Sequence, residues 1–127
     1  MMNEKEATLI KPELGGYFLY VRDLKKAIQM YCSLFEFPVK EEEVLFGHLY
    51  FMPNGIIIDS NDMEGRPIPE WLPVSLKLST TDINTAFNYV QELGFNIVYG
   101  IDRSPIVSWF LFKDPDGNTL MMCEDHK

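Results

Sequence analysis

Hydrophobic and polar positions change period in a fixed order along this chain, and the order occurs twice. Residues 14–21 (LGGYFLYV) are rich in aromatic and branched side chains and predict a strand, after which Asp23 is placed to cap a helix. Leu24, Ala27, Ile28, Tyr31, Leu34 and Phe35 then recur at helical spacing, the buried stripe of an amphipathic helix. Residues 37–39 predict a short second strand that runs into Glu41, Glu42 and Glu43, a charge run read as a solvated edge or turn. Residues 46–52 (FGHLYFM) predict a third strand, Pro53, Asn54 and Gly55 a hairpin turn, and residues 56–59 a fourth strand.

Residues 60–71 (SNDMEGRPIPEW) have the composition of a connector. The same order then returns. Val74, Leu76 and Leu78 alternate with Ser75, Lys77 and Ser79, as in a strand with one face in the core. Asp82 caps a second helix whose stripe is Ile83, Ala86, Phe87, Val90 and Leu93, with Gly94 as its stop. Residues 95–99, 107–112 and 119–123 predict three more strands, the last two joined by the turn at 114–118. Asp23 and Asp82 lie 59 residues apart, as do Leu34 and Leu93, while Pro53 and Pro115 lie 62 apart. A constant offset across the helix with a small drift in the loops is the mark of an internal duplication. The expected fold is therefore α+β: one domain over residues 1–127, with βαβββ modules at 14–59 and 73–124 and a linker at 60–72.

Composition narrows the function classes. At 127 residues and 46% hydrophobic content, the chain can bury a sizeable core within one domain. Nineteen acidic residues against eleven basic ones give a net charge of -8, which repels phosphate backbones and anionic lipids, so neither nucleic acid nor membrane is an expected partner. Cys32 and Cys123 lie in no CxxC or CxxCH context, so both are expected to be reduced and to serve packing. Residues 1–8 are charged and lack an apolar signal-peptide core, and no stretch approaches ~18 consecutive apolar residues, so a cytoplasmic location is expected.

Two segments carry a family resemblance: Tyr20-Val21-Arg22-Asp23-Leu24 leading to Phe35-Glu36-Phe37, and residues 110–118 (FLFKDPDGN). With them, residues 14–124 resemble the vicinal oxygen chelate superfamily, the glyoxalase, bleomycin-resistance and extradiol-dioxygenase group. The resemblance implies that the paired modules curl their strands into a curved mixed-sheet cup with the site in its concavity. It also implies that modules pair across chains, so a homodimer is expected. In metal-using relatives, ligands come from the first and last strands of each module, and here those positions fall on Gly16, Asp59, Ser75 and Met121. Gly16 has no side chain, Met121 offers a soft thioether, and Ser75 is a weak neutral donor, which leaves Asp59. No metal and no other cofactor is expected.

If the ligand positions face the cup, period-two alternation brings Phe18 and Tyr20 to the same face as Gly16, and Lys77 and Ser79 to the face of Ser75. Candidate ligand-binding residues are then Phe18, Tyr20, His48, Tyr50, Asp59, Ser75, Lys77, Trp109 and Met121. Phe18 and Tyr20 serve equally well as ordinary core, Lys77 as an exposed strand lysine, and His48 as a structural histidine. An aromatic wall opposite a polar one suits a planar or amphipathic small molecule. Three functions follow: a metal-free protein that sequesters a planar or cationic compound; a lyase, isomerase or dioxygenase of the same superfamily; or an interaction module whose cup is filled by its own side chains.

Overall fold

The computed structural model describes residues 9–69 and 72–126. The polar leader at 1–8, and Glu70 and Trp71 of the expected connector, lie outside the described residues. Strand β1 (Tyr17–Tyr20) leads into helix α1 (Leu24–Phe35), a single 3-10 turn at Glu41–Glu43, and strands β2 (Leu49–Phe51) and β3 (Ile56–Asp59). The second half comprises β4 (Val74–Ser79), helix α2 (Ile83–Glu92), β5 (Asn96–Arg103), β6 (Val107–Lys113) and β7 (Thr119–Asp125). Both helices begin where a carboxylate can satisfy the first free amides: Asp23 accepts from the Lys26 amide, and Asp82 from those of Asn84 and Thr85.

The architecture is α+β with two mixed sheets, ordered β1-β3-β2 and β4-β7-β6-β5. In each, the first strand pairs parallel with the last, and the last pairs antiparallel with the one before it. The two orders are the same but for one strand. Residues 37–39, expected to mirror β5, form no strand. Two of the amides a strand there would use are lost to it: that of Phe37 donates to Cys32 O at 2.8 Å and Pro38 has none to give, while just beyond the segment the Lys40 amide donates to the Tyr50 hydroxyl at 3.1 Å. The first module is thus βαββ, a correction to the expected βαβββ. The third predicted strand is also shorter, because Phe46 and Gly47 both adopt positive φ and turn the chain before β2.

One face of each sheet packs under helices. Leu19, Tyr50, Ile56 and Ile58 of the first sheet and Phe110, Phe112, Leu120 and Met122 of the second join Ile28, Tyr31, Ile83, Val90 and Phe95 in one core cluster. Aromatic rings bind the halves together there: Phe95 meets Tyr31 and Phe112 edge-on, with centroids 5.5 and 5.3 Å away. Polar bonds cross between the modules as well. The Tyr31 hydroxyl donates to buried Asp114 at 2.7 Å, Arg22 pairs with Asp116 at 2.9 Å, and Asn118 Nδ2 donates to Tyr20 O at 2.9 Å. Both cysteines are free and buried. Among the described residues, no helix is long and apolar enough to cross a membrane.

Candidate functional site

The helix-free faces of the sheets follow from register. Phe18 lies beside Ile57 and Tyr20 beside Asp59, and across β3 these meet Phe51 and Leu49. Neighbouring strand partners point the same way, so Phe18, Tyr20, Leu49, Phe51, Ile57 and Asp59 share one face and the core residues Leu19 and Ile58 the other. On the second sheet, Lys77, Met121, Leu111 and Tyr99 form one cross-strand row, and Ser79, Cys123 and Trp109 the next.

Each open face carries an aromatic pair. Phe18 and Tyr20 stack with centroids 5.9 Å apart at 14°, and they are 56% and 46% exposed. Tyr99 and Trp109 stack at 5.2 Å and 15°, with Tyr99 51% exposed and Trp109 half-buried. Tyr99 was absent from the expected set. Two register shifts in β5 flank it, so simple alternation along that strand does not reveal its face.

The polar groups divide between the sheets. At the end of β3, Asp59 Oδ1 lies 2.9 Å from His48 Nδ1 and also accepts from the Asn61 amide at 2.8 Å. His48 thus reaches the open face from the turn before β2, with the exposed ring of Phe46 6.3 Å from its own. On the second sheet, Ser75 Oγ donates to Thr119 O at 3.3 Å, and Ser75 and Lys77 line a cleft of about 360 Å³ with Tyr17 and Ile56. Burial pushes the Cys123 thiol pKa up, with the charge of Lys77 acting against it.

Of the nine expected residues, Phe18, Tyr20, His48 and Asp59 meet on the first sheet, and Lys77, Trp109 and Met121 share a face of the second, while Ser75 lies at a register shift in β4 and has no strand partner. No hydrogen bond, ion pair or ring contact joins the two groups among the described residues. Tyr50 is on neither open face. It points under α1 at 2% exposure, its hydroxyl held by the Lys40 amide and within 3.9 Å of Cys32 Sγ, because its register partner Ile58 faces the core.

A divalent metal fits poorly at the four positions the resemblance picks out. A Cβ on Gly16 would lie 2.8 Å from Ile57 Cδ1 and 3.0 Å from Gly55 O, so a ligand side chain there requires the Ile57 side chain and the turn at Gly55 to give way. Asp59 already holds two donors on one oxygen, and the Ser75 hydroxyl is turned to a backbone carbonyl. Among the described residues, no group of three His, Cys, Asp or Glu side chains is arranged to hold an ion.

Comparison with known proteins places these features in a family context. Residues 13–122 match the family model described as Glyoxalase/Bleomycin resistance protein/Dioxygenase superfamily. The fold is similar to that of the hypothetical protein SA1046 from S. aureus, with a TM-score of 0.66, 22% identity, and 90% of this chain and 98% of that one covered. It is similar also to the genomically encoded fosfomycin resistance protein FosX from Listeria monocytogenes, with a TM-score of 0.67 at 15% identity over 91% and 94% of the two chains. A glyoxalase/bleomycin resistance protein/dioxygenase family enzyme from Burkholderia phytofirmans PsJN matches with a TM-score of 0.70 at 13% identity, over 89% and 98%. No curated protein matches the sequence.

Proposed function

We propose, from the premise that this chain belongs to the Glyoxalase/Bleomycin resistance protein/Dioxygenase superfamily, that it binds a small planar organic molecule on its open sheet faces without a metal ion. The observation that carries this reading is the pair of exposed aromatic stacks, Phe18 with Tyr20 and Tyr99 with Trp109, one on each sheet. Stacked rings left in water offer a flat apolar surface that a planar ligand can cover at little cost in side-chain entropy. Asp59, next to the first stack, and Lys77, farther along the open face of the second sheet, supply one charge of each sign, able to orient a polar substituent. The acidity of the chain favours the approach of cationic compounds.

A second copy of the chain completes the site in this reading. Phe18, Tyr20 and Phe51 on one open face and Tyr99 on the other are about half exposed, apolar surface that a second copy would cover. The protein acts in the cytoplasm, with neither nucleic acid nor membrane as partner.

The test is a binding screen of planar aromatic and cationic compounds against the wild type and Phe18→Ala and Trp109→Ala variants, with metal analysis of protein purified without chelator. Binding that weakens in both variants supports the reading. Binding indifferent to both, or a stoichiometric Zn, Ni, Mn or Fe content that ligand binding requires, refutes it.

A further inference from the structure

We infer that His48 and Asp59 form a metal-independent acid–base pair beside the Phe18 and Tyr20 rings, with His48 Nε2 as the base that takes a proton from an acidic C–H of a planar conjugated ligand. The inference rests on the reading of the open face as a site for such ligands, and extends it from binding to proton transfer.

The short contact sets the roles when Asp59 is ionised and His48 neutral. A carboxylate only accepts, so the 2.9 Å contact between His48 Nδ1 and Asp59 Oδ1 then takes Nδ1 as the donor and leaves the lone pair on Nε2. Among the described residues, Nε2 of His48 has no hydrogen-bond partner. Asp59 is well placed to hold the ring: it is buried, and the Asn61 amide fixes the same oxygen at 2.8 Å. The backbone of His48 is tied at both ends, its amide to Leu45 O at 3.1 Å and its carbonyl to the Ser60 amide at 3.0 Å. A base oriented by a buried third group, with its free nitrogen on an accessible face, is the general arrangement of acid–base sites.

The surroundings suit a flat substrate. Tyr20 is the register neighbour of Asp59, so the Phe18 and Tyr20 stack lies on the same face as the pair. Phe46 also lies near the imidazole, its ring 6.3 Å from that of His48; it is 84% exposed and held at φ 53°, a backbone region that a bulky aromatic residue rarely adopts. Strained residues persist where the surrounding structure enforces them, and they concentrate at ligand sites. Here the strain sets an aromatic ring out of the core and beside the imidazole.

The reaction class is a proton-transfer isomerisation. The C–H electron pair moves into the conjugated system as the proton passes to Nε2. The imidazolium, stabilised by Asp59, then returns the proton at another atom of the same molecule, so no oxidant, reductant or co-reactant is needed.

The experiment uses 5-nitrobenzisoxazole, a planar carbon acid. Removal of its C–H proton moves that electron pair into a new C≡N bond and breaks the N–O bond, releasing 2-cyano-4-nitrophenolate, whose colour reports turnover. Binding is measured separately with the unreactive 6-nitrobenzotriazole. The wild type is expected to turn over the probe, with His48→Gln reducing kcat by about 100-fold or more at unchanged 6-nitrobenzotriazole affinity. Asp59→Asn should lower kcat with KM within about twofold and move the imidazole proton from Nδ1 to Nε2 in ¹⁵N NMR spectra. His126→Gln, at the other histidine, should leave the rate unchanged. Binding of 6-nitrobenzotriazole without turnover that depends on His48, or a wild-type spectrum with the proton on Nε2, overturns the acid–base pair and leaves the binding reading standing. No binding of 6-nitrobenzotriazole overturns both.

Discussion

Single residues set several local balances that can be tested by substitution. Glu36 ends α1 in the left-handed region at φ 58°, its amide donating to Ser33 O and that of Phe37 to Cys32 O, an arrangement that favours glycine at this position. Glu36→Gly is therefore expected to stabilise the protein by about 0.5–1 kcal/mol, read from the denaturant midpoint at unchanged slope. Tyr31 and Asp114 form a buried pair with the opposite sensitivity. Removing the hydroxyl in Tyr31→Phe takes one of the donors from a buried carboxylate and should cost about 1–3 kcal/mol by the same measurement. Burial raises the pKa of Asp114 from its ordinary value, outweighing the bonds from Asn118, Tyr31 and Asp116 that lower it. A raised folded-state value means the proton is held more tightly in the folded protein, so its contribution is full at pH below the unfolded-state value and is lost as pH rises through the folded-state one. Relative to Asp114→Asn, the wild type should lose stability as pH rises from about 4. A stability difference that instead moves toward the wild type over that range would contradict a raised Asp114 pKa.

At the scale of elements, alternation and helical spacing were legible wherever one face of an element is buried. Helix α1 spans the residues its stripe predicts, because its apolar positions have one consistent place to go; β3 spans the predicted 56–59 as a short apolar run that is buried on both faces. The pattern failed at residues 37–39, where Pro38 has no amide and the Phe37 amide bonds to the end of α1, with the next amide, that of Lys40, bonded to a tyrosine hydroxyl. It failed also at Tyr50, whose apolar run reads alike on either face until pairing with Ile58 turns it to the core. The second sheet is the better braced of the two, with Phe112 fully buried between Phe95 and Phe110. Phe112→Ala should accordingly destabilise the protein by about 3–5 kcal/mol in chemical denaturation, the range for removing a buried aromatic ring. A loss below about 1 kcal/mol would mean that the aromatic row is not what holds β5, β6 and β7 under α2.

At the scale of the molecule, two similar halves share one core and leave two faces uncovered. The proposed second copy predicts that light scattering at micromolar concentration finds twice the 14.8 kDa chain mass. It also predicts that a charge placed on an open face, as in Phe18→Glu, shifts the protein toward the single-chain mass. A wild type at the single-chain mass would rule out the second copy. The sequence alone determined both helix caps, the turn glycines at 55 and 117, and the order of elements apart from the strand expected at 37–39, because each depends on neighbours a few positions away. Only the tertiary structure decided that Gly16 is closed to a ligand by Ile57, that His48 and Asp59 meet, and that Tyr99 stacks on Trp109. Those contacts depend on strand register and bulges, which bring together residues distant in sequence and leave no periodic trace along the chain.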